Sequence, residues 1–156
     1  MTKLIIIRHC QTVDNVSGKM QGYHNDSELT EDGKIQCQRL AGKLKEENIR
    51  AVYCSDLGRT YTTAKIIASE HSLEPLKIKS LRECDIGEWS NLPAKEGLKK
   101  WSVYYENEKK KGKRREDIRP PGGENSFDHQ RRVMNIVNKI LAKYPHNSVV
   151  IVGHSG

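Results

Sequence analysis

Two kinds of apolar pattern alternate along this chain. Short unbroken runs, Leu4-Ile5-Ile6-Ile7, Ala51-Val52-Tyr53-Cys54 and Val149-Val150-Ile151-Val152, are separated by stretches where apolar residues recur every three or four positions. A run of four mostly β-branched residues reads as a short strand, buried on both faces as in a parallel sheet. The spaced sets Cys37, Leu40, Ala41, Leu44, then Leu57, Tyr61, Ala64, Ala68, then Val133, Val137, Ile140, Leu141, Tyr144, each mark one face of a helix. Thr30, followed by Glu31 and Asp32, is the expected N-cap of the first, which runs to about Glu47. Ser55 and Asp56 are expected to cap the second, and Ser126 the last. A further helix is expected over part of 94–110 and a third strand at 76–79. The polar stretch 12–27 and the acidic stretch 81–89 read as loops, and Pro120-Pro121-Gly122-Gly123 as a breaker. Strands alternating with helices predict a layered α/β domain with a mainly parallel central sheet, and 156 residues suffice for one such domain.

Composition narrows the class. With 30% charged residues and no apolar run near the roughly 20 residues of a membrane span, a soluble cytoplasmic protein without membrane contact is expected. The net charge of +7 is concentrated: residues 95–115 carry nine Lys or Arg against three Glu, a net of +6. Only Trp101, Tyr104 and Tyr105 interleave this run and no nucleic-acid motif surrounds it, so it reads as a solvated basic surface rather than a nucleic-acid site. Cys10, Cys37, Cys54 and Cys84 form no C-x-x-C pair and no zinc-like spacing with histidine, which predicts reduced thiols and no metal site.

The chemistry lies at strand ends. Arg8 and His9 follow the first run directly, Arg59 falls in the first turn of the helix after the second, and His154 follows the last. The carboxyl edge of an open α/β sheet is where ligands bind, and a helix N-terminus there favours an anion. Arg8 and His9 alone admit equally a strand end capped by solvated polar groups; the recurrence at Arg59 and His154 moves the reading towards a phosphate pocket. One histidine, neutral at its attacking nitrogen and donating from the other, can act as a nucleophile on phosphorus. The second, if protonated, would stabilise the equatorial oxygens. A carboxylic acid must serve the leaving alkoxide, with Glu83 the leading candidate and Asp85 and Glu88 its rivals. The arginines supply the positive charge, so no cofactor is called for.

The ordered set Arg8-His9, Asn15, Gln21-Gly22, Leu29-Thr30 with Gly33, Ser55-Asp56-Leu57 with Arg59, Leu81 with Glu83, Gly87 with Trp89, Pro121-Gly122-Gly123-Glu124 and Gly153-His154 resembles the histidine phosphatase superfamily, the phosphoglycerate-mutase-like enzymes, over nearly the whole chain. The resemblance implies a three-layer domain with helices on both faces of the sheet. It implies that His9 is the phosphorylated nucleophile, with Glu83 as acid and base and His154 as a further catalytic group. Arg8 and Arg59 would bind the phosphoryl group, and Asn15 and Gln21 would line the pocket. Cys10 stands where the family has glycine and Asn125 where it often has serine.

The expected activity is metal-independent hydrolysis of a small phosphorylated metabolite through a phosphohistidine. The alternatives are mutase-type phosphoryl transfer and an inactive phosphate-binding module. The modest stretch between Glu83 and Asp117 favours the phosphatase over a mutase, and the retained histidines, arginines and Glu83 favour an enzyme. A cysteine phosphatase is excluded because Cys54 and Arg59 are one residue too close, and the P-loop motif is missing. Oligomeric state stays open, a dimer included. Family members continue past the second histidine, whereas only Ser155 and Gly156 follow it here. Three expectations come from that ending: a Gly156 carboxylate near the pocket mouth, a His154 less ordered than His9, and a form less active than one extended beyond Gly156.

Overall fold

The computed structural model describes residues 1–155, so the expectation about the Gly156 carboxylate lies outside the described residues. Four strands, β1 (Lys3–Arg8), β2 (Ile49–Cys54), β3 (Leu76–Lys77) and β4 (Ser148–Gly153), form one sheet in the order β1-β4-β2-β3, every neighbouring pair parallel. Five helices accompany them: α1 (Val13–Val16), α2 (Glu31–Leu44), α3 (Gly58–Ser69), α4 (Ala94–Lys110) and α5 (Ser126–Lys143). The period-two alternation of the strands divides the core in two. Val52, Cys54, Val150 and Val152 pack with Ala41 of α2 and with Ala64, Ile67 and Ala68 of α3. Ala51, Tyr53, Val149 and Ile151 pack with Val137 and Ile140 of α5. The result is the three-layer α/β domain, and all three long strands deliver their carboxyl ends to one edge.

Several local expectations are corrected. β1 is an edge strand rather than a strand covered on both faces: Ile7 is buried, but Ile6 is 72% exposed. The third strand is only Leu76–Lys77, because the chain turns into a 3-10 turn at Lys79–Leu81. The stretch 12–27 contains α1, capped by Thr12, whose hydroxyl accepts from the Asn15 amide while the Asn15 side chain accepts from the Thr12 amide. Thr30 caps α2 as expected. Asn125, not Ser126, caps α5, accepting from the Asp128 amide at 2.8 Å. Neither Ser55 nor Asp56 caps α3; the cap comes from Asp26, far away in sequence, whose carboxylate accepts from the Gly58 and Arg59 amides.

The four thiols are not all reduced. Cys10, just past β1, is bonded to Cys37 of α2, with Cα atoms 6.1 Å apart. Helix packing brings together two cysteines 27 residues apart, which no spacing rule for neighbouring cysteines detects. Cys54 and Cys84 are free, and burial pushes both thiols up to about 12, away from the reactive thiolate form.

Candidate active site

His9 sits where β1 runs out. Its amide donates to the Gly153 carbonyl at 3.0 Å, extending the ladder with β4, and its side chain is buried. Nδ1 lies 2.8 Å from the Cys10 carbonyl oxygen. A carbonyl can only accept, so Nδ1 carries the proton and Nε2 keeps the lone pair. Burial, reinforced by the Arg59 and Arg8 charges, holds this imidazole below its ordinary value of 6.5, against the opposing effects of the Cys10 hydrogen bond and Glu83. The ring is therefore neutral near pH 7, the form a nucleophile requires. Cys10 does not have a positive φ, so a side chain replaces glycine there without backbone strain.

Arg59 is 1% exposed. Its guanidinium donates to the Asn25 carbonyl at 2.6 Å, the Gly22 carbonyl at 3.0 Å and the Asp26 carboxylate at 3.3 Å, while its buried Nε has no partner among the described residues. Gly22 makes this clamp through a left-handed φ of +66°, and a Cβ there would strike Ile86. The first-turn amides of α3, expected to face an incoming anion, are occupied by Asp26. The helix N-terminus serves an internal carboxylate, and what it presents to the site is the arginine itself.

His154 follows β4. Its Nε2 is 2.9 Å from the Ser55 hydroxyl, which is 2.6 Å from that of Thr60. Its Nδ1 is buried without a partner among the described residues, and its ring meets His9 edge to face at 5.4 Å. Burial, followed by the charge of Arg59, pushes its pKa down to about 2, so His154 is neutral here and does not meet the condition, protonation, on which its expected charge-stabilising role depends.

Glu83 accepts from its own neighbour's amide at Cys84, at 2.8 Å, and from the Ser155 amide at 3.2 Å. Its rivals face other tasks: Asp85 pairs with His24 at 3.0 Å and receives the Gly87 amide, and Glu88 is exposed. Arg132 of α5 fixes the Glu83 segment by donating to the Ser80, Arg82 and Glu83 carbonyls at 2.9–3.2 Å, and is held by Glu124 at 2.5 Å. Asn15 and Gln21 converge on Thr12, Gln21 through a 2.7 Å bond to its hydroxyl.

Arg8, His9, Asn15, Gln21, Arg59 and Glu83 line one cavity of 430 Å³. His154 does not line it and reaches the group through the ring of His9. Asp26, Ser55, Thr12 and Arg132 complete the arrangement without having been singled out for it. For Ser55 a signal existed, its place next to a strand end; Asp26 and Arg132 act across the fold and carry none.

The family model for the histidine phosphatase superfamily (branch 1) matches residues 4–156. The chain is 33% identical over 155 residues to "Phosphoserine phosphatase 1" of Hydrogenobacter thermophilus, covering 99% of this chain and 72% of that protein. It is 33% identical over 163 residues to "Metal-independent phosphoserine phosphatase" of Arabidopsis thaliana, covering 100% of this chain and 65% of that one. Its fold superposes on the solved structure of Bacillus stearothermophilus YhfR with a TM-score of 0.85 at 29% identity, over 99% of this chain and 74% of the other. With a family match spanning the chain, and with the arginine-flanked histidine at the end of β1 where the family's opening motif falls, this chain belongs to the histidine phosphatase superfamily.

Proposed function

We propose that residues 1–156 form one phosphatase domain that hydrolyses a small phosphorylated metabolite through a phosphohistidine on His9. The observation that carries this reading is the tether of His9: Nδ1–H is held by the Cys10 carbonyl, which leaves a neutral ring with its Nε2 lone pair beside two arginines. Nε2 attacks phosphorus, the phosphorus–oxygen bond to the substrate alcohol breaks, and Glu83 gives its proton to the departing alkoxide. Water then attacks the phosphohistidine, Glu83 takes a proton from it, and inorganic phosphate leaves. Arg8 and Arg59 hold the phosphoryl oxygens, Arg59 by its unpartnered Nε. His154 supports the nucleophile from outside the cavity wall, its neutral ring edge to face with that of His9 at 5.4 Å. Asn15 and Gln21 shape the wall around Thr12. The two relatives named as phosphoserine phosphatases support hydrolysis over transfer. A cytoplasmic location belongs to the same reading, and the Cys10–Cys37 bond stands against it, since cytosolic thiols are usually kept reduced.

Rapid quench with phosphorus-labelled substrate tests the proposal. The expected result is an acid-labile, alkali-stable adduct that disappears in His9→Ala, with phosphate release that needs no bisphosphoglycerate primer. Equal labelling of His9→Ala would remove the assignment, and turnover only with the primer would favour mutase-type transfer.

A further inference from the structure

The aromatic residues of α4 play no part in the mechanism above, although the fold gathers them beside it. Leu98, Trp101 and Tyr105, spaced i, i+3 and i+7, present one face of the helix. Trp101 meets the buried Trp89 edge to face at 5.5 Å and lies 5.6 Å from Tyr105. These side chains, with Met20, Ile86 and Ile118, enclose a cavity of 470 Å³. It is a continuation of the candidate active site: Met20, Cys84, Ile86 and Leu98 line both cavities.

Two of the polar groups on its wall already have partners. Glu124 accepts from Arg132 at 2.5 Å and from the Asp85 amide at 3.1 Å. Asn125 accepts from the Asp128 amide and donates to the Glu116 carbonyl. A leaving group rich in hydroxyls would give up its hydrogen bonds to water and find these two groups already paired, leaving Arg115 and Ser126 on the wall to replace them. A flat apolar body would instead meet indole and phenol rings in a space of the size that small ligands fill.

We propose that this cavity seats the leaving group, and that the preferred substrates are phosphomonoesters of aromatic alcohols rather than of polyhydroxylated ones. The inference rests on the phosphatase reading and adds the class of alcohol to it. Leu98 and Met20 stand at the junction of the two cavities, so the ester oxygen sits near them, with the phosphoryl group on the His9 side and the ring on the Trp101 side.

The test compares kcat/KM for 2-phenylethyl phosphate and glycerol 1-phosphate, both esters of primary alcohols. The intact protein is expected to prefer the phenylethyl ester at least tenfold. Trp101→Ala should lower that ratio about tenfold. Leu98→Gln, which alters a side chain 61% exposed and spares the fold, should lower it about threefold. A ratio near one in the intact protein, or an unchanged ratio in Leu98→Gln, would overturn the proposal. If neither ester is hydrolysed, the phosphatase reading fails, and equilibrium binding of the same two esters decides the pocket by itself. Tighter binding of the phenylethyl ester, weakened in Leu98→Gln, supports it; equal binding overturns it.

Discussion

Burial acts on His9 and His154 in the same direction, and the two rings answer it differently. His9 has its Nδ1 proton fixed by the Cys10 carbonyl and stays neutral as a nucleophile must. His154 is more strongly affected, pushed down to about 2, with a buried nitrogen that has nothing to bond among the described residues. This has a consequence for stability. A histidine titrates at 6.5 in the unfolded chain, so between 6.5 and the depressed folded value the unfolded state binds the extra proton. Stability is present above pH 6.5 and is lost as the pH falls towards the folded pKa. One such proton contributes a slope of about 1.4 kcal/mol per pH unit. Denaturant melts between pH 6.5 and 4.5 should show a shallower loss in His154→Asn than in the parent protein; identical slopes would mean that His154 is protonated in the folded state.

The elements are held at the site by contacts from outside themselves. Helix α3 lacks a side-chain cap of its own and borrows the Asp26 carboxylate, which also pairs with the Arg59 guanidinium. Losing an N-cap costs about 0.5–2 kcal/mol. Asp26→Ala should therefore lower stability by about 1–2 kcal/mol in urea melts, while Asp26→Asn, which keeps an acceptor, retains most of it. On the other side of the sheet, Arg132 of α5 ties down the Ser80, Arg82 and Glu83 carbonyls without itself lining the cavity. It is a positioning residue. Arg132→Ala should reduce kcat about 10- to 100-fold with KM changed less than threefold, because a proton donor out of place loses transition-state stabilisation and not binding. Equal effects on kcat and KM would point to a general loss of structure instead.

The sheet and the layer that holds α3 converge their charge on one edge of the sheet. Arg8 from β1 and Arg59 from α3 bring fixed positive charge to the cavity that holds His9 and Glu83. Two guanidiniums can neutralise a phosphoryl dianion as a bound cation would. Chelator treatment should accordingly leave kcat/KM within about twofold, and a large loss restored by a divalent ion would show that the arginines do not suffice. Flanking the site, β1 ends the sheet with Ile6 exposed, and Ile6 shares a cavity with Phe127 and Met134 of α5, also exposed, and with His154.

What the amino-acid sequence determined by itself is local or strongly ordered along the chain. The runs at 4–7, 51–54 and 149–152 are strands because β-branched residues suit a pleated surface, and the spaced sets make helices because 3.6 residues complete a turn. The placement of Arg8, His9, Arg59 and His154 at strand ends was legible for the same reason, since each follows directly from an element boundary. Tertiary structure decided the rest. Asp26 capping α3, Arg132 gripping the Glu83 segment and Cys10 joined to Cys37 each pair residues separated by 27 to 52 positions, and propensity carries no information about such partners. The neutral state of His154 depends on desolvation by every element packed around it. Trp101 and Tyr105, read in the sequence as sparse aromatics in a basic run, line a cavity with Trp89, a placement that the run itself does not reveal. The aromatic stripe lies within α4 and the basic run overlaps it and continues beyond, and it is the contact with Trp89 that gives the aromatic residues their place.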